Sequence, residues 1–443
     1  MEHEAKARVR RAIDTRRDEV VAVARQIAAH PELGFKELRT AALIADRLQS
    51  LGLVMQTGLA VTGVKAILQG GGGPGPTVAI LGELDALPVW DHPEHDPQTG
   101  AAHACCHHAQ VAAMFGVAAG LVDSGVLDSL SGRVALVAVP AEEYVEIEER
   151  LGMRARGELE FLAGKAEMLR IGGFDDVDMA MMVHATANPA EGPLGVGGTT
   201  NGMLAKFIRY VGFATHASSP YGAVNALYAA EVAMVAINAL RETFRDEDHV
   251  RVHPIITRGG DVVSAIPADV RMETFVRASA SEALGDANRK VDRALRAGAL
   301  ALGARMELTT VAGYLPLRQD EELMRLYRAN AEALVGPENV KTVGHRTGGT
   351  DMGDLGHVMP VLHSFSTGAS GVMHGADFRV SDEEVAIMHP ARALAMTVVD
   401  LLSDDAAAAH KVLAMHRPRF SKAEYLAFVR GLARTEMFDG AAT

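Results

Sequence analysis

The sequence predicts an α/β protein: an open, mostly parallel sheet layered with helices and interrupted by an inserted ferredoxin-like α+β unit. Three observations predict it. Short, nearly all-apolar runs rich in β-branched residues alternate with helical periodicity, as in strands buried on both faces. Near residue 198 this gives way to half-exposed strands in the order β-α-β-β-α-β, the ferredoxin-like signature. After Leu317 the α/β alternation resumes. A chain of 443 residues is too long for one ordinary core, which suits two domains or one domain with a large insertion.

Taken in order, residues near 7–29 read as a helix ending at His30-Pro31, and 38–51 as a second helix stopped by Gly52. Val64–Leu68 and Thr77–Leu81 read as strands separated by the turn-forming glycines 70–73 and Pro74. A polar loop from Trp90 to Ala102 leads to an Ala-rich helix over 108–122, then to strands at 133–139 and 177–183. The insertion, about 198–317, holds strands at 203–212, 252–256, 270–276 and 305–311 and helices at 223–240 and 280–301, with one sheet face open for dimerisation. Beyond it come a helix at 319–335, a strand near 358–366, a helix at 384–402 and a helical tail, 406–415 and 421–434. The expected division is therefore 1–197 with 318–443, and 198–317.

Composition narrows the function. The formal net charge of −13, with no basic stripe, disfavours nucleic acid and anionic membranes as partners. The apolar runs, such as Val111–Val122, fall short of the roughly 18 residues that span a bilayer. The N-terminus has no apolar secretory core, and the two cysteines are adjacent, so no disulfide framework is expected. A cytoplasmic protein is the expectation.

The polar residues that stand out sit just after strands. They are Glu83 and Asp85, the run His103-Ala104-Cys105-Cys106-His107-His108, the pair Glu142-Glu143, His184, and His374 in a Gly-flanked turn. In an open α/β sheet the carboxyl ends of the strands form the ligand crevice. Any one of these residues alone reads as a structural polar group. Together they deliver thiolate, imidazole and carboxylate donors to one edge, and a cation there relieves the repulsion between adjacent Glu142 and Glu143. Such donors suit zinc, and in part manganese.

These stretches, in this order, resemble the M20 metallopeptidase family, and within it the amidohydrolase subfamily D with its p-aminobenzoyl-glutamate hydrolase group, of the B type. The matching segments are HPELGFKE at 30–37, GELDALP at 82–88, HACCHHA at 103–109, PAEE at 140–143, GFATHAS at 212–218, GTDMGDLGHVMP at 349–360 and the His-Gly pair at 374–375. The resemblance implies a co-catalytic metallohydrolase α/β domain with a ferredoxin-like lid that forms a homodimer. It implies one or two divalent metal ions, zinc or manganese, on Cys105, His107, Glu143, His184 and His374. Glu142 would be the general base, Asp85 would orient a ligand imidazole, and His216 would reach the partner subunit's active site to stabilise the oxyanion. Arg346 is a candidate clamp for a substrate carboxylate.

The chain departs from the family at three places. Cys106 stands where glycine is usual, Ser264 where the lid motif has Asn, and a long segment, 144–161, follows Glu143 in place of a glycine run. The expected activity is hydrolysis of an amide in an N-acyl or aromatic-acyl amino acid, as in aminobenzoyl-glutamate. Two alternatives are a hydrolytic deaminase of an aromatic amine such as 5-nitroanthranilate, and a non-catalytic subunit of a hetero-oligomer. A complete ligand set with its base argues against the second.

Overall fold

A computed structural model of the chain describes residues 2–442. Two sheets organise it. The larger has eight strands in the order Met55–Leu59, Gly63–Gln69, Ser131–Val139, Gly73–Glu83, Met179–Thr186, Val361–Thr367, Leu194–Gly197, Val340–Val343. Its centre, from Ser131–Val139 through Gly73–Glu83 and Met179–Thr186 to Val361–Thr367, is parallel, as the apolar runs predict. The first two strands are antiparallel to their neighbours, so the sheet is mixed.

Helices cover both faces. On one side the helices Glu2–Thr15, Arg17–Ala28, His107–Asp123 and His389–Leu402 share the main core. The helix His107–Asp123 is buried from His107 to Leu121, because alanine and glycine let it lie close to the sheet. A Cβ at Gly82 would stand 2.8 Å from the Val111 Cα. That close approach brings the end of strand Gly73–Glu83, with Asp85 just beyond it, beside the N-terminus of the helix carrying His107. The run Glu384–Leu402 is long and apolar enough to cross a membrane, but 78% of its apolar window is buried inside the protein. It is a core helix.

The smaller sheet is antiparallel throughout, in the order Arg251–Arg258, Asp269–Ala278, Gly202–Val211, Arg305–Ala312, Arg434–Asp439. Its first four strands follow the ferredoxin-like pattern, and the helices Ala226–Ala239 and Ser281–Leu302 cover one face. The fifth strand corrects the expected all-helical tail. After the helix Lys422–Leu432 the chain turns at Ala433 and pairs along Arg305–Ala312. There Arg434 meets the buried Asp292 carboxylate, which Lys206 also binds at 2.6 Å.

Candidate metal centre and substrate cleft

Three turns and one strand end present the polar side chains. Cys106 takes a left-handed conformation, φ 67°, as the chain passes from the loop into the helix that starts at His107. Ala141, φ 48°, turns the chain out of strand Ser131–Val139 before Glu142 and Glu143. His184 lies within the end of strand Met179–Thr186. His374, φ 63°, is pinned where its backbone N–H donates to the Ala104 carbonyl at 3.0 Å. The His374 turn is thus tied directly to the Cys105 loop.

All five expected ligands converge. The donor atoms of Cys105, His107 and His184 lie within 4.8 Å of one another, and so do those of Cys105, Glu143 and His374. The Cys105 sulfur is common to both triads. It stands 3.4 Å from His184 Nε2, while His374 Nε2 stands 3.1 Å from Glu143 Oε1. Two triads sharing one thiolate fit a pair of divalent ions, with the borderline-soft N, O and S donors zinc accepts.

Charges in the cluster are set by the neighbours. Burial and Glu143 push the Cys105 thiol up, but His107 and His184 outweigh them and hold it at about 6, so it is a thiolate at neutral pH. Burial, with the Glu83 and Glu143 carboxylates, drives Glu142 well above the usual carboxylate range. Burial also opposes ionisation of Glu143, yet His374 overcomes it and brings that group to about 2. Adjacent carboxylates with such divergent environments are suited to different tasks: one binds a cation, the other takes up a proton.

Asp85 holds the geometry together. One of its carboxylate oxygens lies 3.1 Å from His107 Nδ1, and the other accepts the Glu143 backbone N–H at 2.8 Å. The His107 ring is held there also by the Asp85 carbonyl, at 2.9 Å, which leaves Nε2 facing the cluster.

Sequence reasoning missed part of the floor. Lys165, fully buried, binds Glu83 and Asp351, both at 2.5 Å. The other Glu83 oxygen is 3.1 Å from His107 Nε2, and Glu83, His107 and Glu142 form a third possible ligand group. Lys165 and His107 keep Glu83 ionised against its burial. Glu83 was visible as a strand-end acid. Lys165 gave no signal, because a lysine near the start of the helix Gly164–Ile171 reads as an exposed residue.

Above the cluster lies a cleft of about 460 Å³. The rings of Tyr144, Phe275, Tyr314 and Phe365 line it, with Arg277 and Arg346. Arg346 stacks 4.3 Å from the Phe365 ring centre and pairs with Glu191 at 3.5 Å, so its guanidinium is fixed in the wall. Tyr144 and Phe275 meet edge to face across the junction of the two units. The segment after Glu143 divides in two: Tyr144 and Val145 line the cleft, and the helix Ile147–Ala155 packs against the smaller sheet, where Glu148 pairs with Arg271. Cys106 packs in the core and does not line the cleft.

His216 is not brought to this cluster in its own chain. It is exposed in a loop, its Nδ1 2.7 Å from the Ser218 hydroxyl, bridged to Ala265 next to Ser264.

Over residues 79–398 the sequence matches the family described as Peptidase family M20/M25/M40. The chain belongs to that family. As a member with its cluster of donors in place, it is a metal-dependent hydrolase of amide bonds. Among curated M20 relatives, it is 28% identical over 339 residues to the Xaa-Arg dipeptidase of Mus musculus, covering 73% of this chain and 70% of that one. It is 27% identical over 329 residues to the N-acyl-L-amino acid amidohydrolase of Geobacillus stearothermophilus, covering 72% and 82%. Among solved structures, it matches the Bacillus subtilis YXEP protein, a dinuclear metal binding peptidase of the M20 family, with a TM-score of 0.63 at 23% identity over 88% and 99% of the two chains. It matches the aminobenzoyl-glutamate utilization protein of Klebsiella pneumoniae with a TM-score of 0.64 at 19% identity over 88% and 97%.

Proposed function

We propose that this chain hydrolyses the amide of an N-acyl or aromatic-acyl amino acid, an aminobenzoyl-glutamate-like substrate, as an amidohydrolase of subfamily D. The observation that carries the reading is the Cys105 sulfur shared by two triads beside Glu142, beneath a cleft lined with aromatic rings and arginine. Cys105, His107 and His184 hold one ion, and Cys105, Glu143 and His374 the other, zinc or manganese. When bound, such ions supply Lewis acidity, lowering the pKa of water and polarising a carbonyl. Glu142 takes the proton from the attacking water and returns it to the leaving amine. Asp85 fixes the His107 tautomer and ties Glu143 to the same frame. Arg346 receives the substrate carboxylate, and the four rings pack against its acyl part. The names of the amidohydrolase and the aminobenzoyl-glutamate relatives support this substrate class.

The division into 1–197 with 318–443 as the catalytic unit and 198–317 as the lid then applies except at the strand Arg434–Asp439, which belongs with the lid because it pairs in the lid's sheet. The lid makes a homodimer in which His216 reaches the partner subunit's cleft to stabilise the oxyanion. The setting is cytoplasmic, with small-molecule substrates.

The test assays chelator-treated protein, with zinc or manganese restored, against N-acyl amino acids, aminobenzoyl-glutamate and aminobenzoates. Release of free amino acid, lost on chelation, is expected. Ammonia released from an aminobenzoate, with no amino acid released from any amide, would replace the reading with aryl-amine hydrolysis.

A further inference from the structure

A second cavity, of about 530 Å³, lies apart from the cleft and shares no lining residue with it. Four histidines border it: His92, His95, His103 and His108. Two of these are already engaged. His92 uses both ring nitrogens, Nε2 with the Phe378 carbonyl at 3.0 Å and Nδ1 with the Glu94 N–H at 3.1 Å, and His95 uses Nδ1 with the His92 carbonyl.

The other two are different. His103 and His108 are 7% and 6% exposed, and neither nitrogen of His103 nor Nδ1 of His108 has a hydrogen-bond partner. Burying a polar group without a partner costs on the order of 1–3 kcal/mol, so unpartnered nitrogens on two adjoining rings at the border of one cavity call for a partner. Their ring centres are 5.0 Å apart, with planes at 61°. An imidazole nitrogen at about 2.0–2.1 Å from a zinc-like ion puts the ring centre roughly 3.2 Å from it, so two rings at near-tetrahedral angles on one ion stand about 5 Å apart. Imidazole is also the commonest protein ligand for such ions. At the border Glu94 and Glu383 balance Arg25 and Arg379, which leaves no excess of positive charge to repel a cation.

We propose that His103 and His108 form an auxiliary site for a divalent transition-metal ion, with water completing its coordination from the open cavity. The site is built on the same turn as the catalytic cluster. Between Ala102 and Ala109 the chain turns Cys105 to the cleft and His103 and His108 to this cavity. An ion here braces the backbone that carries Cys105 and His107.

Cobalt(II) separates the two locations. A Co²⁺ ion on Cys105 gives a thiolate-to-cobalt band in the near ultraviolet, whereas one held by nitrogen and water gives none. Metal-stripped protein and its His108→Asn variant are titrated with Co²⁺, following total bound metal by equilibrium dialysis and the band by absorption. The expected result is one more equivalent per chain bound by the unaltered protein, with the band equal in both. Equal totals overturn the site. A missing band in the unaltered protein refutes the catalytic-cluster reading and leaves the auxiliary count readable. If His108→Asn does not fold, crystals of the unaltered protein soaked in Co²⁺ decide. An anomalous peak between the two rings supports the site, and peaks confined to the Cys105 cluster overturn it.

Discussion

The floor of the cleft and the outer loops of the smaller unit are built in opposite ways. On the floor, each ligand-bearing turn is held from a second part of the chain: Asp85 grips both His107 and Glu143, Ala104 grips His374, and Lys165 joins Glu83 to Asp351. In the outer loops, the His216 ring is hydrogen-bonded only to Ser218, two residues away, and Phe213, Val262 and Val263 stand exposed nearby at 62%, 60% and 99%. Preorganised groups need no partner to act. Exposed ones contribute to catalysis only when another surface completes their surroundings. The floor is complete in one chain, and under the proposed function the loops are complete only in a dimer.

Substitutions can break or sharpen that contrast. The largest effect is expected at Glu142. Glu142→Gln keeps the ligand set, so metal content should stay constant while kcat falls about 10²–10⁴-fold; retained activity would remove it as the base. His216→Ala should cost about 10²–10³-fold in kcat, and mixing it with Glu142→Gln should restore part of the activity in mixed dimers. No recovery on mixing would confine all catalytic groups to one chain and end the contrast. Asp85→Asn loosens the floor without removing a ligand, and should lower metal affinity or activity about 10–100-fold.

The pH dependence comes next. The Cys105 thiol is held down to about 6, below its ordinary range, so the thiolate is already present above pH 6 and protons compete for it below. Metal affinity should therefore drop as the pH falls through about 6, roughly tenfold per unit for the proton this one group takes up. Isothermal titration at stepped pH would detect a flat profile, which would exclude the thiolate as a ligand. Arg346→Ala should have the smallest effect, raising KM about tenfold with kcat little changed.

Much of this was legible in the chain, for physical reasons that differ by residue. Cys105, His107, Glu143, His184 and His374 follow strands or tight turns, and the crevice rule places such positions together. Lys165 was not legible: a buried lysine and a solvated one look the same until Asp351, 186 residues away, is seen beside it. The strand Arg434–Asp439 was missed because its exposed edge position lacks the apolar alternation that marks a half-buried strand. The expected single N-terminal helix is two, Glu2–Thr15 and Arg17–Ala28, with the break at Arg16, where no glycine or proline announces it. Ser264 became interpretable only in three dimensions, where its carbonyl accepts the Ala217 N–H at 2.8 Å and fixes the loop carrying His216.

The shared sulfur has a further consequence. Because one atom serves both triads, whatever consumes it disables both at once. A low-pKa thiolate bordering an open cleft is the kind peroxide attacks first. Once oxidised to a sulfenic acid, Cys105 would be a poorer donor to either ion, so oxidative damage to this protein should inactivate it in a single step and not in two stages.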